Sequence, residues 1–371
     1  MNGLLSGSRM PSYVVVNQRN LRSSIIYFIL FLTSGIVFAQ SSDMESGTLR
    51  TYIARVDTLL TIKLDAHTEY IGFNVVGNDF RYDIRPNIRV STKLSLSYRF
   101  LSLGFSYKPG FIPGNNDTDV QGKTRTFGFG ITLQPGHWYQ DLQFNYVKGY
   151  YLHNTIDFDP NWVEGKDAYI MVPDLRTAFI KGATGYKLNK NLSLKAISSK
   201  TEIQLRSTGS FLPFLFYEYY ETDNTSAGQT HFSVQRSNNF DIVLASGYVH
   251  TFVFGHGFYC SMGLFPGMGL QYTRLRTYQN GIELPAHFYD MLFRIQERAA
   301  IGYNTRKLFA GAELTMSQSS NKQHGTSVTT NTHYAYVRVF LGFRFQAFRL
   351  LKKETDAAKN IAPPIIQDML E

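Results

Sequence analysis

The chain has 371 residues, a formal net charge of +9 and 43% hydrophobic residues, including 29 Phe and 24 Tyr. Its single cysteine, Cys260, excludes a secreted scaffold held together by intrachain disulfides. Beyond residue 39 no uncharged apolar run approaches the roughly 18 residues of a membrane-spanning helix. The chain is therefore either a large soluble all-β protein or a transmembrane β-barrel, whose strands conceal their hydrophobicity by alternation.

The first 39 residues have the layout of a secretory signal peptide. Arg19 and Arg22 precede an uncharged apolar stretch, residues 25–39, which ends in the small-residue pattern Val37, Phe38, Ala39. A membrane anchor is the alternative, but the stretch is shorter than the about 20 residues that span a bilayer. The sequence predicts cleavage near Ala39 and export to the outer membrane of a Gram-negative bacterium.

The charge of the exported chain bears on its partners. Removing residues 1–39 removes three arginines and no acid, so the net charge falls to 9 − 3 = +6. Nucleic acid is rarely met by an exported protein, so we expect none as a partner. We expect contact with outer-membrane lipid and lipopolysaccharide, against the alternative of a merely solvated basic surface.

The stretch "HYAYVRVFLGFRF", from His333 to Phe345, shows the pattern that decides the fold class. Its odd positions are His, Ala, Val, Val, Leu, Phe and Phe, whereas its even positions include two arginines. The same alternation recurs in "FYCSMGLFPGMGLQYTR" (258–274), "FYDMLFRIQERAAIGY" (288–303) and "LFAGAELTMS" (308–317). The less apolar faces carry Gly, Ser and charge, as in a polar barrel interior, whereas a soluble sandwich needs bulky inner faces.

The lengths of the connections support a membrane barrel. Short turns are predicted at Arg99 and at residues 134–137, 188–191, 254–257 and 304–307, and longer polar stretches lie between them. Short periplasmic turns and longer outer loops are typical of outer-membrane barrels. We predict an all-β, transmembrane, antiparallel up-and-down β-barrel of about 12 strands, within a range of about 10 to 14.

The predicted organisation has four parts. They are a signal peptide (1–39), an N-terminal periplasmic segment (40–68), a transmembrane barrel (69–348) and a C-terminal periplasmic tail (349–371). If all short turns lie at one end of the barrel, an even number of strands must lie between any two of them. Between the turns at 188–191 and 254–257, however, three strands are predicted: Leu192 to Gln204, Thr208 to Tyr220 and Phe240 to Phe254. Either "THFSVQR" is a further strand or two of the three are one.

Tyrosine and tryptophan cluster at predicted strand ends, where they would form aromatic girdles at the membrane interface. The clusters are Trp138 with Tyr139, Tyr150 with Tyr151, and Tyr217 with Tyr219 and Tyr220. Ordinary packing inside a β-sheet protein is the alternative for each cluster.

The sequence offers little for catalysis or metal binding. The nine histidines show no compact ligand spacing, so we predict no metal and no cofactor. Ser207 and Ser210 lack a nucleophile-elbow pattern and a sequence-adjacent histidine or acid, so we assign no catalytic residue.

Charged and polar residues on the predicted inner faces are the candidates for a functional lumen. They are Glu202, Gln204, Arg206, Glu218, Arg294, Gln296, Arg298, Glu313, Arg338 and Arg344. The acids and bases either pair and plug the lumen, as buried charges require compensation, or line a conducting or ligand-binding lumen.

Four motifs carry a resemblance to a known family. They are "YIARVDTLLTIKL" from Tyr52, "YDIRPN" (82–87), "YVKGYYL" (146–152) and "NKNLSLKAISSKTEIQLRSTGSF" (189–211). In their order and spacing, the chain resembles the Bacteroidota outer-membrane barrel family catalogued as domain of unknown function 4421. The resemblance implies a signal peptide and a barrel, and it supplies no activity, ligand or functional residue.

The leading functional hypothesis is a non-enzymatic passage or binding barrel for a small polar or amphipathic molecule. An outer-membrane enzyme that modifies lipid is the first alternative, and a structural or surface-binding barrel is the second. The solute and the oligomeric state stay open.

Overall fold

The computed structural model describes residues 51–76, 81–224, 234–279, 282–322, 329–349 and 352–353. The predicted signal peptide and nearly all of the predicted tail lie outside these ranges. In the part of the chain that is described, no helix is long and apolar enough to cross a membrane.

Among its described residues, the first half of the chain forms eight strands, one short α-helix and a 3-10 turn at Thr155–Asp157. They are β1 (Ile53–Arg55), β2 (Leu59–Val76), β3 (Arg81–Arg85), β4 (Ser91–Tyr98), β5 (Leu101–Tyr107), α1 (Thr118–Gln121), β6 (Arg125–Leu133), β7 (Trp138–Leu152) and β8 (Ile170–Tyr186). The described residues of the second half form a second short α-helix and seven strands. They are α2 (Leu194–Ile197), β9 (Glu202–Gln204), β10 (Thr208–Asn224), β11 (Val234–Gly255), β12 (Phe258–Gln279), β13 (Ile282–Asn304), β14 (Leu308–Lys322) and β15 (Thr329–Gln346).

The large sheet closes on itself through antiparallel pairing of its last strand with β2, from Gln346 opposite Leu59 to Thr329 opposite Val76. β3 and β4 both pair with β2, on successive parts of its length. They form a single spanning strand interrupted around Pro86, which lacks a backbone N–H for the ladder. The molecule is therefore a closed antiparallel barrel of 12 spanning strands, which confirms the predicted fold class.

The outer face of the barrel is apolar in the predicted alternation. On β15, Val337, Val339, Leu341 and Phe343 are 43–57% exposed, whereas the intervening Phe340 is only 5% exposed. An exposed apolar belt on this scale is characteristic of a lipid-facing surface. The barrel is a transmembrane one.

In-register rows across β10 to β13 show where the apolar belt ends. Two successive outward rows are aliphatic or apolar: Leu215, Leu244, Met268 and Phe293, and then Tyr217 with Ile242, Leu270 and Met291. The next row toward the long loops is fully aromatic: Tyr219, Phe240, Tyr272 and Tyr289. Such an aromatic row marks a membrane–water interface.

The aromatic clusters predicted to be girdles are divided between the two faces of the wall. Trp138 and Tyr219 lie on the outer face and are 45% and 41% exposed. Tyr150 and Tyr151 are buried, and Tyr220 points into the lumen, where its hydroxyl accepts a hydrogen bond from Gln271. Adjacent residues of a strand face opposite sides, so a pair of neighbouring aromatics cannot both reach lipid.

The two ends of the barrel differ in the length of their connections. The turns at Arg99 and at residues 134–137, 256–257 and 305–307 share one end with the start of β2 and the end of β15; we call this the short-turn end. The opposite end, the long-loop end, carries the connections 108–124 and 153–169. The barrel begins at Leu59 and not at residue 69, because Leu59 to Thr68 already pair with β15.

The failed strand count has a structural cause. Residues 187–207 connect β8 to β10 at the short-turn end without crossing the barrel, and the predicted strand Leu192 to Gln204 is not a wall strand. This segment contains α2 and β9, and β9 pairs with β1 in a separate two-stranded sheet. We call residues 187–207 together with β1 the plug. Among the described residues between the turns at 188–191 and 254–257, only β10 and β11 span the barrel; the first four residues of "THFSVQR" lie outside the described ranges.

Candidate ligand-binding site in the lumen

The plug has a hydrogen-bonded core of its own. Ser193 caps α2 by accepting a hydrogen bond from the Ala196 N–H at 2.8 Å, and its hydroxyl donates to Glu202 at 2.6 Å. The Gln204 side chain accepts from the Ser193 N–H at 2.8 Å and donates to the Asn191 carbonyl at 2.9 Å. Glu202 and Gln204 were predicted to line the lumen, but they are buried inside the plug and fix its shape.

Polar contacts fasten the plug to the barrel wall. Lys63 Nζ donates to the Ser198 carbonyl at 3.1 Å, and Gln134 donates to the Ser198 hydroxyl at 2.7 Å. Lys200, which is completely buried, donates from Nζ to the Tyr259 hydroxyl at 2.7 Å. Because β2, the turn after β6 and β12 all contribute, the plug is anchored around the short-turn end.

Arg344 extends this anchorage to the last strand. It is 5% exposed, and its Nε donates to the Lys200 carbonyl at 2.8 Å while its Nη2 donates to Asn304 at 2.7 Å. Asn304 in turn donates to the Glu202 carbonyl at 3.1 Å. Arg344 therefore holds the plug and does not line an open lumen. Arg206 also lies outside the lumen wall, with its guanidinium 5.9 Å from the centre of the Tyr52 ring.

A cavity of about 920 Å³ lies inside the barrel beside the plug. Part of its lining is a buried apolar cluster supplied by β8, β10 to β13 and the plug. The members of this cluster that line the cavity include Ala183, Leu212, Phe214, Phe216, Val249, Phe265 and Leu292, with Leu194 and Ile197 of α2. We call these residues the apolar floor.

The first charged group on the cavity wall links the wall to the plug. Glu313 is hydrogen-bonded to Arg338 opposite it on the neighbouring strand, and its carboxylate lies 3.3 Å from Lys200 Nζ. Arg338 also reaches Asp65 at 3.9 Å, and Asp65 lies 3.1 Å from His67. The charges compensate each other, as burial requires.

The second charged group lies on β8, β10, β11 and β13. Glu218 lies 3.4 Å from Lys181 and 3.5 Å from Arg294, which is also 3.7 Å from Asp241. Gln271 donates to Asp241 at 2.8 Å. Lys181 lies opposite Glu218 on the neighbouring strand, whereas Arg294 on β13 pairs with acids two and three strands away, on β11 and β10.

Arg298 and Gln296 complete the predicted residues that line the cavity. The Arg298 guanidinium lies over two rings of the apolar floor, 5.8 Å from the centre of Phe214 and 5.6 Å from that of Phe265. Tyr139, from β7, also lines this part of the cavity and packs edge-on against Phe214. The arginine thus sits where the polar wall meets the apolar floor.

The structure brings part of the predicted set together around the cavity. Its cavity-lining members are Glu218, Arg294, Gln296, Arg298, Glu313 and Arg338. The apolar floor was not predicted from the sequence. The available signal was "FLPFLFY" (211–217), which is apolar on both faces, and this is unusual for a strand beside a polar lumen.

The two serines considered as nucleophiles contact the main chain. Ser207 accepts from the Val253 N–H at 2.9 Å, and Ser210 accepts from the Asn189 N–H at 3.0 Å. Among the described residues, no group of three His, Cys, Asp or Glu side chains could hold a metal ion.

A family model described as a domain of unknown function (DUF4421) matches residues 45–345. The chain belongs to the DUF4421 family. The plug, the floor and both charged groups of this DUF4421 barrel lie within the matched range. A comparison with curated proteins finds no match.

The DUF4421 barrel is also similar to solved outer-membrane barrels. The outer membrane protease OmpT from Escherichia coli shares 7% identity at a TM-score of 0.35, over 79% of this chain and 98% of that chain. OmpT of Vibrio cholerae shares 8% identity at a TM-score of 0.34, over 81% and 100%. The P. putida toluene transporter TodX shares 7% identity at a TM-score of 0.19, over 78% and 91%. These likenesses concern the barrel fold alone.

Proposed function

We propose that the protein is an outer-membrane binding barrel that takes up a small amphipathic molecule from the long-loop end. One observation carries the proposal: a cavity of about 920 Å³ combines charged walls with an apolar floor, above a plug fastened to the wall. Apolar surface with a few placed polar groups is the usual composition of a small-molecule site. Passage through the barrel would require the plug to move.

The proposal includes an orientation. We place the short-turn end, with both ends of the barrel chain, in the periplasm and the long-loop end outside the cell. The asymmetry of the connections supports this orientation. Export through the signal peptide 1–39, the periplasmic tail 349–371 and a source in Bacteroidota stay predictions.

Filling the cavity tests the binding role. Purified protein in a non-ionic detergent is titrated with fluorescent single-chain amphiphiles that carry a negative, neutral or positive head group. We expect Ser317→Trp, which places a large ring in the cavity, to abolish binding that the wild type shows. Met316→Trp is the matched control, because Met316 is the next residue on the same strand and faces outward with 38% exposure. Equal binding by both variants would contradict a lumenal site.

We also propose lipopolysaccharide as a lipid partner, at the outer face of the long-loop end. One row beyond the aromatic row, Arg274 lies on the outer face, and Arg236 and Arg276 face each other directly one row further. Glu221 lies 2.8 Å from Arg236 and Glu283 lies 3.4 Å from Arg276. Within the described ranges Arg274 has no carboxylate at ion-pair distance, which favours an anionic head group there.

Arg274→Ala is expected to weaken lipopolysaccharide binding about fivefold, since a basic residue near an anionic surface contributes about 1 kcal/mol. The measurement is a titration of detergent-solubilised protein with lipopolysaccharide at low and high salt. Arg306→Ala, in a turn at the short-turn end, is the control and should leave binding unchanged. A lipopolysaccharide affinity that changes neither with Arg274→Ala nor with the salt concentration would rule out this surface.

A further inference from the structure

We infer that the lumenal ligand is a singly charged amphipathic anion, such as an alkyl or aryl carboxylate, whose head group pairs with Arg298 while its apolar part lies on the floor. This inference rests on the proposed binding function and adds the chemical class of the ligand. It depends on the charge balance around Arg298, on the donors that its environment leaves available, and on the apolar surface beneath it.

The charge balance sets Arg298 apart from the other arginines of the cavity. Arg294 has Glu218 and Asp241 as partners, and Arg338 has Glu313 and Asp65. For Arg298, the described side chains include no carboxylate within 4.0 Å. Asp141 also lines the cavity, but it accepts hydrogen bonds from Thr132 and Gln143 and is not within 4.0 Å of Arg298. A partly buried arginine without a carboxylate partner favours a compensating negative charge, which a bound ligand would supply.

The contacts of Arg298 orient the guanidinium and leave part of its donors available. With its amide turned so that the oxygen faces the guanidinium, Gln296 accepts from Nε and Nη2 of Arg298, both at 3.1 Å, which leaves the two N–H groups of Nη1 and the second one of Nη2. The rings of Phe214 and Phe265 attract the cation through their faces, and such contacts use none of its five N–H groups. The fork of donors matches the two oxygens of a carboxylate. Tyr139 lines the cavity and packs edge-on against Phe214, so its hydroxyl is a further candidate donor to an anion bound there.

The apolar floor defines the rest of the ligand. Phe214 and Phe265 are 3% and 2% exposed, and Leu212, Val249 and Leu292 continue the same buried surface. An inorganic anion would leave this surface without a partner, and a neutral hydrocarbon would leave Arg298 uncompensated. A molecule with one acidic head and a short apolar body satisfies both.

The test compares three probes of one shape on the purified full-length barrel in non-ionic detergent: dansyl-undecanoic acid, its methyl ester and the corresponding primary amine. For the wild type we expect the acid to bind at least about tenfold more tightly than the ester, and the amine more weakly than the ester. Arg298→Gln should remove the preference for the acid and leave the ester's affinity unchanged. Arg298→Lys should retain part of it, because the charge stays but the fork is lost.

Arg306→Gln, at the short-turn end, is the matched control for loss of one arginine and should retain the full preference. The ester's unchanged affinity shows that the Arg298→Gln lumen is still folded. Equal binding of acid and ester by the wild type, or an undiminished preference in Arg298→Gln, would overturn the inference while leaving a binding barrel intact. Failure of all three probes to bind the folded wild type would overturn the proposed function together with it.

Discussion

Replacing residues 190–206 by a short Gly-Ser turn is expected to convert a barrel that conducts no steady ion current into one that does. These residues fill the short-turn end and are fastened there by Lys63, Gln134 and Arg344. The wall itself closes through pairing of β15 with β2 and does not depend on them. The barrel should therefore survive the replacement with an open lumen. Single-channel recording in planar bilayers measures the difference.

The matched control keeps the plug in place. Lys195 pairs with Glu202 inside the plug, at 3.8 Å. Lys195→Ala should stay silent like the wild type, because the contacts of Lys63, Gln134 and Arg344 with the plug remain. Wild-type protein that conducts as strongly as the variant without the plug would show that residues 187–207 do not close the barrel.

Glu313→Gln is expected to lower the free energy of unfolding by about 3–5 kcal/mol, the range for removing one partner of a buried ion pair. Glu313 balances both Arg338 on the neighbouring strand and Lys200 on the plug, and Lys200 has no exposure to solvent. Without the carboxylate, two cations face each other inside the barrel. Equilibrium unfolding from liposomes in guanidinium chloride measures the loss.

An exposed acid gives the control for this substitution. Glu283 pairs with Arg276 at the outer surface, where its side chain is 42% exposed, and exposed pairs contribute only about 0.2–1 kcal/mol. Glu283→Gln should therefore cost far less than Glu313→Gln. Equal stabilities for the two variants would mean that the charged group around Glu313 is as well hydrated as the surface.

The wall of the barrel was predictable because the requirement that forms it is local. Lipid on one face and a polar lumen on the other impose a period of two on every spanning strand, so Val337, Val339 and Leu341 alternate visibly with Arg338 and Phe340. The same alternation led to a strand count that could be checked against the parity of the turns.

The plug was not predictable from the same pattern. Residues 192–204 look like a strand because Leu192, Leu194 and Ala196 alternate with polar or larger residues, but their environment is the interior of a barrel. Apart from the hydrogen bonds within the segment, their partners are β1, far away in sequence, and the wall. Contacts at such separation leave no periodic trace, and only the odd strand count pointed to the segment.

The charged lumen was predictable as a face but not as a set of pairs. Arg294, Arg298 and Glu313 line the cavity, as the alternation of inward and outward positions along their strands predicts. Which acid meets which base depends on the stagger between strands and on the path of the plug. Lys200 meets Glu313 only because the plug turns back into the barrel.

The most direct test of the whole arrangement is the solvent seen by each face of β15. In a Cys260→Ser background, a nitroxide is attached to single cysteines placed in turn at residues 335–345, and the protein is reconstituted in liposomes. Collision rates with oxygen, which concentrates in hydrocarbon, are compared with those of a water-soluble nickel chelate. We expect oxygen to dominate at Val337, Val339, Leu341 and Phe343 and to fall at the residues between them. Preferential contact with the nickel chelate at Leu341, or no alternation along the strand, would contradict a barrel wall with lipid outside and an enclosed site within.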